Sequence, residues 1–163
     1  MPNKLKATIC CGFLTLLPAL AANGDPVLLE MTMSVRNGCG AARIEFYRSY
    51  PDGTASAEPF RVPEGKLMVV TDVDWYYHTG NAGTTQILRL LVENLADATL
   101  RRRAFESLAR LDAVGVGGAS ERMTTGFAIS SKARLCLEVL PGPFIDPPRL
   151  SRVLVRGYFK DEL

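Results

Sequence analysis

Residues 66–78, KLMVVTDVDWYYH, gather most of the side chains that could do chemistry: Asp72, Asp74, Trp75, Tyr76, Tyr77 and His78. Trp75 is the single tryptophan and His78 the single histidine. Any histidine-dependent mechanism must therefore run through His78. A Ser-His-Asp triad lacks its nucleophile turn, because no G-x-S-x-G occurs. A Cys-His pair would need Cys39 or Cys136 to stay reduced. The expectation is a surface histidine at a strand end and no catalytic set. The four consecutive residues Trp75, Tyr76, Tyr77 and His78 run into Thr79-Gly80-Asn81-Ala82-Gly83. Rings at such a strand end stack on sugars or on another protein at little entropic cost, which makes them the candidate ligand-binding residues. In a strand, neighbours alternate faces, so Trp75 and Tyr77 cannot share a platform with Tyr76, and Trp75 as a core residue is the competing reading.

Two carboxylates would suffice for a polysaccharide hydrolase, the alternative function. That reading demands a cleft with paired acids about 5–10 Å apart. Asp72 and Asp74 on one strand face are also the best oxygen ligands for calcium, although no D-x-D-x-D-G loop accompanies them. Two cysteines and one histidine do not make a tetrahedral zinc set. Gly115-Val116-Gly117-Gly118-Ala119-Ser120 has no Lys-Ser/Thr after it, so it reads as a plain loop rather than a phosphate cradle. Arg101-Arg102-Arg103 suits a solvated edge better than an anionic polymer. No cofactor or metal is expected.

The elements that hold these residues alternate with a period of two. In residues 66–78, Leu67, Val69, Val73 and Trp75 fall on one face, expected in the core, and Met68, Val70, Asp72, Asp74 and Tyr76 on the other. Residues 27–36, 43–50, 84–94, 123–130, 134–140 and 152–159 read the same way, with a short edge strand at 57–62 limited by Pro59. Turn signals separate them: Asn37-Gly38, Pro51-Asp52-Gly53, and the prolines of 141–148. Residues 95–112 are ambiguous. Leu100, Ala104, Leu108 and Leu111 approximate a helical stripe, and local propensity favours a helix over 97–111; the surrounding β context tips the reading to strands. The fold class is all-β, a single antiparallel β-sandwich with a jelly-roll-like strand count.

Residues 1–21 read as a signal peptide: Lys4 and Lys6, an apolar run from Ala7 to Leu20, then Ala19-Leu20-Ala21. That leaves 22–163 as one domain. The formal net charge of +2 comes from 19 basic against 17 acidic residues, and losing Lys4 and Lys6 cancels it. A neutral mature chain has no general attraction for nucleic acid or anionic lipid. No later apolar run is long enough to cross a membrane. Cys39 and Cys136 remain as one pair, expected to form a disulfide in an oxidising compartment. The chain ends Lys160-Asp161-Glu162-Leu163, which matches the retrieval signal of the ER lumen. The Ala-rich leader and the excess of arginine over lysine favour bacterial export instead, to the periplasm or the medium. The sequence thus describes an exported, non-enzymatic β-sandwich that binds an unknown glycan or protein, or serves as a structural module. An oligomer is compatible with it, and nothing fixes the symmetry.

Overall fold

The computed structural model describes residues 24–34, 39, 45–140 and 149–162. The segment 1–21 expected to be a signal peptide, the turn expected at 37–38, the proline-rich stretch 141–148 and Leu163 lie outside the described residues. Nine strands and no helix make up the described chain: β1 (Pro26–Ser34), β2 (Tyr47–Ser49), β3 (Ala55–Pro59), β4 (Lys66–Thr79), β5 (Thr85–Asn94), β6 (Arg101–Arg110), β7 (Gly117–Ser130), β8 (Ala133–Leu140) and β9 (Arg149–Asp161). They form a six-stranded sheet, β3-β2-β1-β9-β4-β7, and a three-stranded sheet, β6-β5-β8. Every pairing is antiparallel. The result is the β-sandwich that the alternating pattern predicts.

β4 is an interior strand of the large sheet, between β9 and the edge strand β7. Its β-branched and aromatic residues suit a pleated surface buried against neighbours. Pro63 and Gly65 set its start: Gly65 takes φ 71°, and Lys66 N–H donates to the Pro63 carbonyl at 3.1 Å. That geometry is a four-residue turn, Pro63 to Lys66, with Gly65 at the left-handed third position. β9 and β7 then pair along either side of β4.

The expected faces of β4 hold for only half of the strand. Val73, Trp75 and Tyr77 are buried, but in the first half Met68 and Val70 are buried, and Leu67 and Val69 lie on the half-exposed face. The cause is a bulge. The register shifts between Val70 and Asp72 against both neighbours: against β9 Thr71 is one residue too many for the pleat, and against β7 residues 123–126 lie opposite it. One inserted residue moves every later side chain to the opposite face. On β7 the same irregularity falls at Gly126, whose φ is 66°.

The strand reading of 95–112 holds, and the helix weighed over 97–111 does not form. β6 pairs with β5 from Thr85↔Arg110 to Glu93↔Arg101. Ser107 and Ala109 face inward, whereas Leu100 and Leu108 of the apparent helical stripe are 60% and 61% exposed. Sheet pairing here outweighs the propensity of an Ala/Leu/Arg/Glu-rich segment. The loop expected at 115–118 is also shorter than the glycines suggested, because Gly117 and Gly118 already belong to β7.

The core lies between the sheets, with Leu29, Trp75 and Val153 from the large sheet against Leu88, Leu90 and Leu137 of the small one. Trp75 Nε1–H donates to Ser107 Oγ on β6 at 2.9 Å, and Ser107 Oγ–H passes the chain to Glu121 Oε1 at 3.0 Å. One buried indole is thereby anchored to both sheets. On β5 and β8, Glu93 and Arg134 are cross-strand partners, with Arg134 Nε donating to Glu93 Oε2 at 2.6 Å. The carboxylate side chain is fully buried, so the pair acts in a low-dielectric setting where its geometry matters more than at the surface. Cys39 and Cys136 are bonded, with Cα atoms 5.2 Å apart. No helix among the described residues is long and apolar enough to cross a membrane.

Lys160 and Asp161 of the terminal tetrapeptide belong to β9. They pair with Leu67 and Lys66, and Glu162 N–H donates to the Gly65 carbonyl at 2.9 Å. A receptor reading this tail as an extended peptide would first have to peel it off β4.

Candidate functional site

Beyond the Thr71 bulge, β4 sends its residues alternately in and out, and this divides the aromatic set. Trp75 and Tyr77 point into the core, 2% and 0% exposed, with ring centroids 6.0 Å apart edge to face. Burial pushes the Tyr77 hydroxyl well above the ordinary tyrosine range. Tyr76 and His78 point outward. Their rings meet edge-on at 4.2 Å, and the Tyr76 hydroxyl lies 2.8 Å from His78 Nδ1. His78 N–H in turn donates to Ser151 Oγ at 2.9 Å. The Tyr76 ring is therefore held in place before any ligand arrives, which lowers the entropic cost of stacking on it.

Beside Tyr76, β7 carries no side chain. Tyr76 pairs with Gly118 and Tyr77 with Gly117. A Cβ on Gly118 would stand 2.0 Å from the Trp75 carbonyl oxygen and 2.8 Å from Tyr76 Cα, so only glycine lets the two strands approach here. The bare strand leaves a shallow depression of about 390 Å³ on the outer face of the large sheet, lined by Asp74, Tyr76, Gly118, Ser120, Arg152 and Leu154 among others. Arg152 and Leu154 come from β9, opposite Tyr76 and Asp74.

The polar rim is already organised. Asp74 accepts hydrogen bonds from the Ser120 hydroxyl and the Arg156 guanidinium. Burial alone would raise the Asp74 carboxyl. Ser120 and Arg156 outweigh it and hold the group below the usual carboxylate range. Arg152 Nε sits 2.9 Å from Glu30 Oε1 on β1. Asp72 accepts from Thr71 Oγ1 at 2.6 Å and lies 3.8 Å from Arg122. The two aspartates considered for calcium thus each face a guanidinium. Among the described residues, no group of three or more His, Cys, Asp or Glu side chains could hold a metal ion.

In chemical terms the site offers a fixed aromatic ring, a flat glycine floor, and alternating carboxylate, hydroxyl and guanidinium groups. The sequence marks Tyr76 and Asp74 as candidates, and Gly118 and Ser120 only as members of a supposed loop at 115–120. Ser120, Arg152 and Gly118 arrive through strand pairings across dozens of residues, and no local pattern in the chain announces them. No protein-family model matches the chain, and a search of curated proteins returns no match.

Proposed function

We propose that this chain is an exported β-sandwich binding module, without enzymatic activity, whose ligand is a carbohydrate held on the outer face of the large sheet. The observation that carries the reading is the depression beside Tyr76. A sugar ring presents an apolar face of C–H groups and an edge of hydroxyls. The Tyr76 ring suits the first, and Asp74, Ser120 and Arg152 suit the second. The half of the candidate set that is exposed, Tyr76 and His78, is the half that would touch ligand. Trp75 and Tyr77 would support it from beneath. Export is supported by the leader at 1–21 together with the Cys39–Cys136 bond, since such bonds persist in oxidising compartments.

The competing hydrolase needs a carboxyl pushed up so that it can serve as a general acid near neutral pH. Asp74 is shifted the other way. An ionised carboxylate locked to Arg156 and Ser120 accepts hydrogen bonds from hydroxyls but has no proton to give. The depression beside Tyr76 is lined by that single carboxylate rather than by the pair a hydrolase uses, which supports binding.

A glycan array followed by calorimetry on the mature chain tests it. Tyr76→Ala is expected to weaken the bound glycan about tenfold or more, the equivalent of roughly 1.4 kcal/mol, with the protein still folded. Tyr76→Phe keeps the ring, loses only the hydroxyl bond to His78, and should retain most of the affinity. Equal affinity for wild type and Tyr76→Ala would remove this site from the proposal.

A further inference from the structure

The small sheet matches three of its six arginines to carboxylates. Arg89 and Arg103 share Glu106, and Arg134 holds Glu93. Among the described residues, Arg101, Arg102 and Lys132 reach no carboxylate. All three line one cleft of about 420 Å³. It lies at the end of the sandwich where β5 and β7 finish and β6 and β8 begin. Val92, Leu100 and Ala133 give it an apolar surface, and Thr99 and Ser130 add hydroxyls. No acidic side chain lines it.

The rim is tied together by its backbone. Leu95 N–H donates to the Lys132 carbonyl at 3.0 Å, joining the β5–β6 connection to the β7–β8 turn, and Asn94 N–H donates to the Leu100 carbonyl at 2.9 Å. The nearest acids in sequence are engaged elsewhere. Asp97 accepts from Thr99 N–H and Oγ1–H at 2.9 and 2.6 Å, and Glu93 is bound to Arg134. Leu100, 60% exposed, is left at the cleft with nothing covering it among the described residues. Unmatched guanidinium groups beside an exposed leucine favour a ligand carrying both an anionic head and an apolar body.

We propose that this cleft binds a small amphiphilic organic acid, with its carboxylate or sulfonate against Arg102, which shares its strand face with Val92, and Lys132, and its apolar part on Val92, Leu100 and Ala133. The site shares no residue with the depression beside Tyr76 and does not depend on it.

Titration with anilinonaphthalene sulfonate, an anion with an apolar body, provides the test, read by its fluorescence on the folded mature chain. One saturable site is expected. Decanoate should displace the probe at least tenfold more effectively than decanol, which has the same chain and no charge, because a hydrogen bond to a charged group is worth about a tenfold change or more. Arg102→Glu with Lys132→Glu should weaken the probe by a similar factor. Both side chains are exposed, so the fold is retained, and an unchanged far-UV spectrum checks that. Tyr76→Ala should leave the probe's affinity unaltered, which separates this cleft from the sugar site. Wild-type affinity in the charge-reversed variant, or decanol competing as well as decanoate, overturns the proposal.

Discussion

Replacing Trp75 with alanine should cost about 3–5 kcal/mol of unfolding free energy. The indole is 2% exposed and lies between the two sheets, so its removal opens a cavity that strands on both sides must tolerate. Two specific losses add to the missing area. The edge-to-face contact with Tyr77 goes, worth about 0.5–1.5 kcal/mol beyond burial in comparable pairs. The Nε1–H bond to Ser107 also goes, although Ser107 still donates to Glu121 and is not stranded. Trp75→Phe should therefore be milder, since it keeps much of the apolar body and loses the donor. Urea unfolding followed by far-UV circular dichroism measures both. A loss under about 1 kcal/mol for Trp75→Ala would mean that the indole does not bridge the sheets as described. For function, a fall in ligand binding in Trp75→Ala reports on folding. Tyr76→Ala, on the outer face of the same strand, reports on contact.

The contrast between those neighbours shows what a sequence can carry. Strand positions and the two-faced character of β4 follow from period-two alternation, which local sequence expresses directly. The phase of that alternation does not. Thr71 is an ordinary strand residue, and the bulge it makes is fixed by how β7 and β9 pair with β4, a property of chains that lie far away in sequence. The helical look of 95–112 failed for a related reason. Leu100 and Leu108 recur at helical spacing, yet β5 supplies a partner along the length of β6, and those leucines end up exposed. The site was half legible. Tyr76 and His78 were visible as a strand-end pair, but the floor made by Gly118 and the rim made by Ser120 and Arg152 exist only through β7 and β9. The glycines at 117–118 read as a loop because composition cannot distinguish a turn glycine from one that lets two strands close up.

Removing the Cys39–Cys136 bond with paired alanine substitutions should lower stability by about 2–4 kcal/mol. The bond joins residues 97 apart in the chain, so in the chain-entropy picture it sits near the long-loop limit, where about 4.7 kcal/mol is the ceiling for a loop of roughly 100 residues. The bridge ties Cys39, between β1 and β2 of the large sheet in chain order, to β8 of the small one, and so adds a side-chain cross-link between the two layers. Cys136 is fully buried, which is why alanine is the better replacement: serine would add an uncompensated hydroxyl to the cost. Because the bond acts mainly on the unfolded chain, the variant should also show a larger urea m-value, as its denatured ensemble is freer to expand. Wild type in reductant should behave like the variant. A stability change under about 1 kcal/mol, or an unchanged m-value with the same midpoint, would show that the packed sheets alone fix the geometry. Domains of this kind hold only about 5–15 kcal/mol in total. A loss of about 2–4 kcal/mol would thin that margin wherever the bond cannot form. The depression beside Tyr76 is built from β4, β7 and β9 and contains neither cysteine, so the variant, while folded, should bind ligand as the wild type does.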